Sequence, residues 1–272
     1  MPFITIIRPA NCIFAGLCIF VGAILHTTLD GFLPVLFAII SGMFIAAGGY
    51  VINDYFDIRI DRINKPERML PSGKIKPRTA LIYAGAFFVV GIVLSLFTGN
   101  VYITLIATLN SLLLILYAGY LKKTFLIGNI LAAYAAASTF IYGGLSNDNL
   151  RNSIVLAIFA FLFTLLREFI KSAEDRRGDA IYEAKTISVV LGEKKTIMLS
   201  FLPVAGIVIY SIILYIQEVL SMRAFFLFMV LITVPLIVAL VQLLNHSTRN
   251  RYAKTSLFLK IEMLILLIIL IW

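Results

Sequence analysis

Nine apolar stretches, each about as long as a bilayer is thick, limit what this chain can fold into. A helix needs about 20 mainly apolar residues to cross a membrane, and its backbone groups must bond to one another there. Stretches of this length are typical of transmembrane helices and too long for barrel strands. They fall at residues 9–28, 32–53, 79–98, 101–120, 126–145, 152–171, 196–216, 223–244 and 255–272. The sequence therefore predicts an all-α membrane protein with a bundle of nine transmembrane helices.

The composition indicates that much of the protein surface faces lipid. Apolar residues make up 61% of the 272 residues and charged residues 14%, whereas soluble domains have about 45–50% and about 25%. A soluble core of this size could not bury the excess, which excludes a soluble enzyme, a nucleic-acid-binding module and a secreted disulfide scaffold. Cys12 and Cys18 lie in one apolar stretch, a pattern typical of helix packing. We expect no removable signal peptide.

Basic residues are concentrated in alternate connections between the apolar stretches. If the N-terminus is cytoplasmic, the connections on that side hold 20 of the 23 Lys and Arg residues, and the opposite connections hold Arg151 and Arg223. This positive-inside bias predicts a cytoplasmic N-terminus and an outside C-terminus in a multi-pass protein of the cell membrane. It also accounts for the net charge of +9 without any nucleic acid partner.

Acidic residues also gather on the predicted cytoplasmic side, which holds ten of the 14. Asp57 and Asp61 follow the second apolar stretch, and Asp175 and Asp179 follow the sixth with the same spacing, 118 residues later. The pattern predicts one domain over residues 1–272, built from two four-helix pseudo-repeats and a ninth helix around a central cavity. Its cytoplasmic cap loops would lie at about residues 54–78 and 167–195.

The first acidic motif, residues 53–61, carries the strongest chemical signal. On a helix, Asn53, Asp57 and Asp61 form one stripe, with Asp54 at its edge. Carboxylates this close raise one another's pKa, so they need a nearby cation to remain ionised. Their oxygen ligands suit Mg²⁺, and the absence of neighbouring His or Cys argues against zinc.

The second acidic motif, residues 168–179, follows the sixth stretch. On a helix, Glu168, Ser172, Asp175 and Asp179 would share one face, flanked by Lys171. Two such acidic helix ends facing each other would hold Mg²⁺, with a substrate diphosphate as the bridging ligand. Basic residues would clamp the diphosphate, and the candidates are Arg62, Lys65, Arg68, Lys122 and Lys171.

Two other interpretations fit parts of this pattern. Acids four residues apart are common on solvated helix faces, and charged membrane loops are usually only solvated. A transporter of an anionic solute could also have repeats and charged helix ends. A carrier, however, would place its charges near the bilayer midplane, and here they cluster at one face. The activity is therefore predicted to lie at the cytoplasmic face.

Several motifs together resemble the UbiA superfamily of intramembrane prenyltransferases. That family has N-D-x-x-D-x-x-x-D after the second helix and D-x-x-x-D after the sixth, together with R-P-x-N, D-x-I-N-x-P, R-P-x-P-S-G and Y-S-x-x-L-K stretches. The matching segments here are residues 53–61, 175–179, 8–11, 61–75 and 117–122, with Gly128 and Asn129 following. The family often has Asp where this chain has Ser172, and Pro where it has Met69.

The resemblance implies a magnesium-dependent enzyme that ionises an allylic diphosphate. The loops look most like those of the archaeal branch, which transfers a geranylgeranyl group from geranylgeranyl diphosphate to the hydroxyl of geranylgeranylglyceryl phosphate, a lipid-phosphate acceptor. An aromatic or chlorophyllide-like acceptor is the alternative. The implied catalytic carboxylates are Asp54, Asp57, Asp61, Asp175 and Asp179, with Asn53 as a further metal ligand.

Uncharged residues complete the predicted substrate site. Asn11, in the first turn of the first helix, would face the cavity. Tyr117 lies near the predicted mouth, as do Tyr50, Tyr55 and Tyr120. Their rings could stabilise the allylic cation, although an interfacial aromatic belt explains each one equally well. The sequence indicates no general base.

Overall fold

A computed structural model describes residues 1–246 and 248–271, and within those ranges it contains helices and no β-strand. A helix covers most of each predicted apolar stretch; Trp272, at the end of the last one, lies outside the described residues. The helices are α1 (Pro2–Ile6), α2 (Pro9–Ile24), α3 (Phe32–Phe56), α4 (Ile58–Asn64), α5 (Pro77–Leu96), α6 (Val101–Gly119), α7 (Ile127–Ser146), α8 (Leu150–Ile181), α9 (Ile187–Leu191), α10 (Glu193–Leu199), α11 (Phe201–Ile216), α12 (Met222–Phe228), α13 (Val234–Asn245) and α14 (Arg249–Ile271).

Six helical segments are long and apolar enough to cross a membrane, which makes this an integral membrane protein. They are Phe32–Phe56, Pro77–Leu96, Val101–Gly119, Leu150–Ile181, Glu193–Ile216 and Met222–Asn245. The fifth joins α10 to α11, and the sixth joins α12 to α13 through a π-helical turn. Helix α2 is apolar but shorter, with 16 residues. The prediction of nine spans, and of the side on which each terminus lies, stays a prediction.

The chain divides into two compact units. The first unit comprises Met1–Leu121 and Ala137–Ala157, and the second comprises Lys122–Ala136 and the chain from Ile158 onward. In the first unit α3 is the central helix and packs against α2, α5 and α6. Its buried face joins a core to which α1 and the loop after α4 also contribute. The C-terminal end of α3, where the first acidic motif begins, is therefore built into a packed core.

Helices α2 and α7 approach closely in the first unit because glycines line the contact. A Cβ atom on Gly143 would lie 1.8 Å from the backbone oxygen of Ile19, and one on Gly22 would lie 2.4 Å from that of Phe140. Small residues allow membrane helices to pack backbone to backbone. This contact fixes the position of α2, the helix that follows Arg8.

The end of α2 distant from Arg8 is capped by asparagine side chains. Asn147 and Asn149 both donate to the backbone oxygen of Ala23, and Asn149 and Asn152 both donate to that of Leu25. These amides satisfy carbonyl groups that lack partners within the helix. Helix α2 is thus held along its length and at its C-terminal end.

In the second unit, a π-helical turn interrupts the segment between α12 and α13. The turn covers Met229–Thr233 and precedes Pro235, whose ring nitrogen carries no hydrogen and so cannot continue the regular hydrogen-bond pattern. Phe159 packs its ring against Tyr210 and Phe228, with ring centroids 5.0 and 5.5 Å apart. Aromatic packing therefore stabilises the contact between α8, α11 and α12.

Candidate active site

The first acidic motif lies on helical backbone that continues past the apolar stretch. Helix α3 ends at Phe56 and α4 begins at Ile58, so that only Asp57 interrupts them. The backbone N–H of Asp57 still bonds to the oxygen of Asn53 at 3.0 Å, and that of Asp61 bonds to the oxygen of Asp57 at 2.8 Å. The helical spacing predicted for this motif is therefore preserved across the interruption.

Two acids of this motif, Asp54 and Asp61, are buried and bound to arginines. Their side chains are 9% and 7% exposed. Arg68 Nη1 donates to Asp61 Oδ2 at 2.6 Å and to Asp54 Oδ1 at 3.2 Å, while Arg8 Nη2 donates to the same Asp54 oxygen at 2.5 Å. Buried charged groups in proteins are normally paired with groups of opposite charge. For these two acids, the required cations come from the protein itself.

Arg68 is held by a folded loop between α4 and α5. Ser72 N–H bonds to the oxygen of Arg68 at 3.0 Å, and Leu70 and Ile75 insert into the core of the first unit. Gly73 adopts a positive φ of 74°, which glycine tolerates without steric cost. The sequence predicts Arg68 as a diphosphate clamp, and the structure places its guanidinium on two carboxylates.

The other two residues of the motif, Asn53 and Asp57, are half-buried. Asn53 Nδ2 donates to Asp57 Oδ2 at 2.9 Å. Among residues 1–246 and 248–271, no group of three or more His, Cys, Asp or Glu side chains could hold a metal by itself. Mg²⁺ commonly binds through one or two carboxylates together with water and substrate phosphate oxygens. The oxygen ligands of this pair fit that mode of binding, which needs few protein ligands.

The second acidic motif lies at the end of α8, a helix of 32 residues that extends well past its apolar stretch. Asp175 is exposed and Asp179 is half-buried. Thr186 Oγ1 donates to Asp179 Oδ2 at 3.0 Å, and Ala184 N–H bonds to the backbone oxygen of Asp179 at 3.0 Å. The chain therefore folds back onto the end of α8 and positions Asp179 by a neutral hydroxyl group.

Other residues of the predicted second face make local contacts. Ser172 is buried, and its Oγ bonds to Ser188 Oγ at 2.9 Å; Ser188 Oγ also donates to the Ser172 backbone oxygen. Glu168 accepts from the neighbouring Arg167 at 3.1 Å. Ser172 thus joins α8 to α9 and does not share the solvent exposure of Asp175. The position that often carries Asp in the family is here a packing contact.

The remaining basic candidates are more accessible than Arg68. Arg62, Lys65 and Lys171 are exposed, and Lys122 is half-buried. Lys122 lies in a short 3₁₀ helix, Leu121–Lys123. In the second unit, the backbone oxygen of Lys123 accepts from Lys185 N–H at 2.8 Å, which joins this turn to the loop after α8. Lys122 is thereby connected to the segment that follows the second acidic motif.

The two uncharged substrate candidates lie on different helices. Asn11 is exposed in the first turn of α2, and Tyr117 is half-buried near the end of α6. Their binding roles stay predictions. Tyr50, a candidate for stabilising the allylic cation, has its ring under the Arg8 guanidinium, 5.1 Å from ring centroid to Cζ. The sequence alone predicts no site role for Arg8, although this residue belongs to the R-P-x-N segment.

Comparison with known families and relatives gives a consistent result. Residues 15–264 match the model of the UbiA prenyltransferase family. The digeranylgeranylglyceryl phosphate synthase of Methanosphaera stadtmanae is 35% identical over 97% of this chain and 96% of its own length. That of Methanoculleus marisnigri is 40% identical over 78% of this chain and 76% of its own.

Solved structures show the same fold. A structure described as digeranylgeranylglyceryl phosphate synthase in membranes is 35% identical, with a TM-score of 0.85, and the match covers 99% of this chain and 96% of that one. A UbiA homologue from Archaeoglobus fulgidus bound to DMAPP and Mg²⁺ is 18% identical, with a TM-score of 0.75 over 98% of this chain and 99% of its own.

Proposed function

Since this chain belongs to the UbiA prenyltransferase family, we propose that it transfers a geranylgeranyl group from geranylgeranyl diphosphate to the hydroxyl of geranylgeranylglyceryl phosphate. An ether bond forms and diphosphate leaves, a step of archaeal membrane lipid biosynthesis. The observation that carries the proposal is the similarity to a digeranylgeranylglyceryl phosphate synthase along 97% of the chain. The reaction occurs within one domain that spans the whole sequence.

The chemical task is to break an allylic C–O bond while protecting the resulting cation. Negative charge develops on the leaving diphosphate, and fixed positive groups that meet this charge lower the barrier. Exposed Arg62, Lys65 and Lys171, together with half-buried Lys122, bind the diphosphate oxygens. Arg68 contributes positive potential from its position on Asp54 and Asp61.

Asn53, Asp57, Asp175 and Asp179 are the residues that would hold Mg²⁺, since their oxygen atoms are more accessible than those of Asp54 and Asp61. When bound, the metal supplies Lewis-acid stabilisation of the diphosphate charge. The acceptor hydroxyl attacks the allylic carbon and passes its proton to a diphosphate or carboxylate oxygen. Asn11 and Tyr117 orient the substrates, and the predicted central cavity keeps water from the cation.

The location of the reaction follows from charge. Twenty of the 23 Lys and Arg lie in connections assigned to one side, and the positive-inside rule makes that side cytoplasmic. Both acidic motifs belong to these connections. The active site therefore opens at the cytoplasmic face of the cell membrane, where the charged head groups of both substrates are accessible.

One assay tests the proposal. The detergent-purified protein receives radiolabelled geranylgeranyl diphosphate and Mg²⁺, with either geranylgeranylglyceryl phosphate or 4-hydroxybenzoate as acceptor. We expect labelled diether lipid with the first acceptor and release of diphosphate in equal amount. Labelled product that forms only with 4-hydroxybenzoate would mean that the acceptor is aromatic. If neither acceptor gives magnesium-dependent release of diphosphate, a membrane transporter becomes the favoured function.

A further inference from the structure

The N-terminal segment delivers an arginine to the first acidic motif through a backbone corner. Arg8 separates α1 from α2 and has φ 52° and ψ 68°, a left-handed conformation that residues other than glycine rarely adopt. Pro9 begins α2, where its missing N–H is tolerated. Arg8 N–H bonds to the oxygen of Thr5 at 3.2 Å, and its own oxygen accepts from Asn11 N–H at 2.9 Å. The corner is therefore held from both sides.

Packing in the first unit fixes this corner further. Ile6 is 2% exposed and belongs to the core of the unit. The ring of Phe3 meets the ring of Tyr83 on α5 edge-on, with centroids 5.5 Å apart. Cys12 Sγ donates to the backbone oxygen of Ile7 at 3.1 Å. Contacts before and after Arg8 thus set the point from which its side chain extends.

The Arg8 side chain meets two residues one helical turn apart on α3. Tyr50 and Asp54 are four residues apart and so lie on the same helix face. The guanidinium lies over the Tyr50 ring at 5.1 Å while its Nη2 donates to Asp54 Oδ1 at 2.5 Å. A cation over an aromatic face is held by electrostatic attraction. The ring therefore restricts the guanidinium to the position in which it meets the carboxylate.

Arg68 cannot take over the role of Arg8 because its guanidinium already contacts both Asp61 and Asp54. Its Nη1 is 2.6 Å from Asp61 Oδ2 and 3.2 Å from Asp54 Oδ1, so its stronger contact is with Asp61. Without Arg8, one guanidinium would have to compensate two carboxylates that are both less than a tenth exposed. An uncompensated buried charge is strongly unfavourable, and Arg68 would be drawn from Asp61 towards Asp54.

We infer that Arg8 is a positioning residue of the first acidic motif. It acts through Asp54, keeps Arg68 on Asp61, and so directs Mg²⁺ to Asp57 instead of to Asp54. The inference rests on the proposed function, in which this motif binds the metal and the diphosphate. It assigns the N-terminal corner a role in metal binding without any contact between Arg8 and substrate.

The test measures metal binding without turnover. Thermal unfolding of the detergent-purified protein is followed while Mg²⁺ is titrated at a fixed concentration of inorganic pyrophosphate, and the half-saturating Mg²⁺ concentration is recorded. Arg8→Gln should raise it about tenfold or more, the usual effect of removing a residue that supports a metal site without binding the metal, because Arg68 would then be drawn from Asp61 towards Asp54. Arg59→Gln is the matched control, because it removes the same charge from an exposed position within the motif.

The double variant Arg8→Gln/Asp54→Asn provides the decisive comparison. It removes one positive and one negative charge and leaves the Arg68–Asp61 pair, so half-saturation should return to within about threefold of wild type. The double variant also remains informative if Arg8→Gln fails to fold, as does Arg8→Lys, which should likewise stay within about threefold.

Three results would overturn the inference. One is an Arg8→Gln protein that behaves like Arg59→Gln, and another is a double variant at least as impaired as Arg8→Gln, which would mean that Arg8 binds the diphosphate directly. The third is a wild type that Mg²⁺ and pyrophosphate do not stabilise. The labelled-product assay decides the proposed function separately, since a variant can form diether lipid whatever its half-saturating Mg²⁺ concentration.

Discussion

The two acidic motifs share a pair of acids with i, i+4 spacing, but they differ in how deeply their carboxylates are buried and in which groups donate hydrogen bonds to them. In the first motif, Asp54 and Asp61 are buried and are compensated by Arg8 and Arg68. In the second, Asp175 is exposed, and the hydroxyl of Thr186 donates to Asp179. Asp61 and Asp179 hold equivalent places in the two i, i+4 pairs, yet Asp61 accepts a hydrogen bond from an arginine and Asp179 accepts one from a threonine hydroxyl.

This difference separates two uses of a carboxylate at the end of a membrane helix. A buried acid with an arginine partner holds the surrounding backbone and fixes the position of the guanidinium, and removing it leaves a buried positive charge. An accessible acid that accepts a hydrogen bond from a neutral group still presents oxygen atoms to which a metal can bind. The first motif combines both uses, because Asp57 is half-buried whereas Asp54 is buried.

The largest expected effect is a loss of catalytic rate when one of the accessible acids is removed. Asp57→Ala and Asp175→Ala should each lower the rate of labelled-lipid formation by about 10²–10³-fold or more, as expected when a group that stabilises developing charge is lost. Their melting temperatures should change little because neither side chain is buried. Glu67→Ala, which removes an exposed acid from the neighbouring loop, is the control. Full activity in either aspartate variant would contradict the metal-binding role.

The second effect concerns stability. Asp54→Asn leaves Arg8 without its charged partner and should lower the free energy of unfolding by about 1–3 kcal/mol, less than for a fully buried pair because Arg8 is 31% exposed. Asp175→Asn, at an exposed position, should stay within about 0.5 kcal/mol of wild type. Denaturant unfolding of both variants in detergent measures the contrast. Equal stability of the two would remove the distinction between the motifs.

Much of this architecture could be predicted because lipid imposes a simple rule on the chain. Each predicted apolar stretch is largely helical, since backbone groups in a bilayer must be satisfied internally. The predicted ends of the helices are less accurate than their positions along the chain. Hydropathy detects the membrane and not the end of a helix, so α3 continues to Phe56 and α8 to Ile181, both inside regions predicted as loops.

The charged partners could not be predicted in the same way. Arg8 and Asp54 are 46 residues apart, and their contact depends on how α2 packs on α3. The sequence predicts that the clustered acids need a cation and favours Mg²⁺; the structure shows that arginines are bound to two of them. The contact between Ser172 and Ser188 could not be predicted either, because it depends on how the chain folds back after α8.

A smaller effect tests the clamp beside the second motif. Lys122→Ala should raise the KM for geranylgeranyl diphosphate about tenfold, the effect of losing one charged hydrogen bond, and change kcat less. Lys123→Ala is the matched control, because Lys123 is exposed and its backbone oxygen, which accepts from Lys185, is retained. Steady-state kinetics with both variants measure the difference. An unchanged KM and kcat in Lys122→Ala would mean that this lysine contributes only to membrane orientation.

The smallest effect examines the neutral partner of Asp179. Thr186→Val keeps the side-chain shape but removes the hydroxyl that donates to Asp179 Oδ2 at 3.0 Å. Losing one neutral hydrogen bond, about 0.5–1.5 kcal/mol, should raise the Mg²⁺ concentration for half-maximal activity about two- to tenfold. Ser188→Ala breaks the hydrogen bonds to Ser172 instead, so it should lower stability and leave the Mg²⁺ requirement unchanged. If both variants shift the requirement equally, the second motif responds to general loosening of the α8–α9 contact, and Asp179 has no specific dependence on its hydroxyl partner.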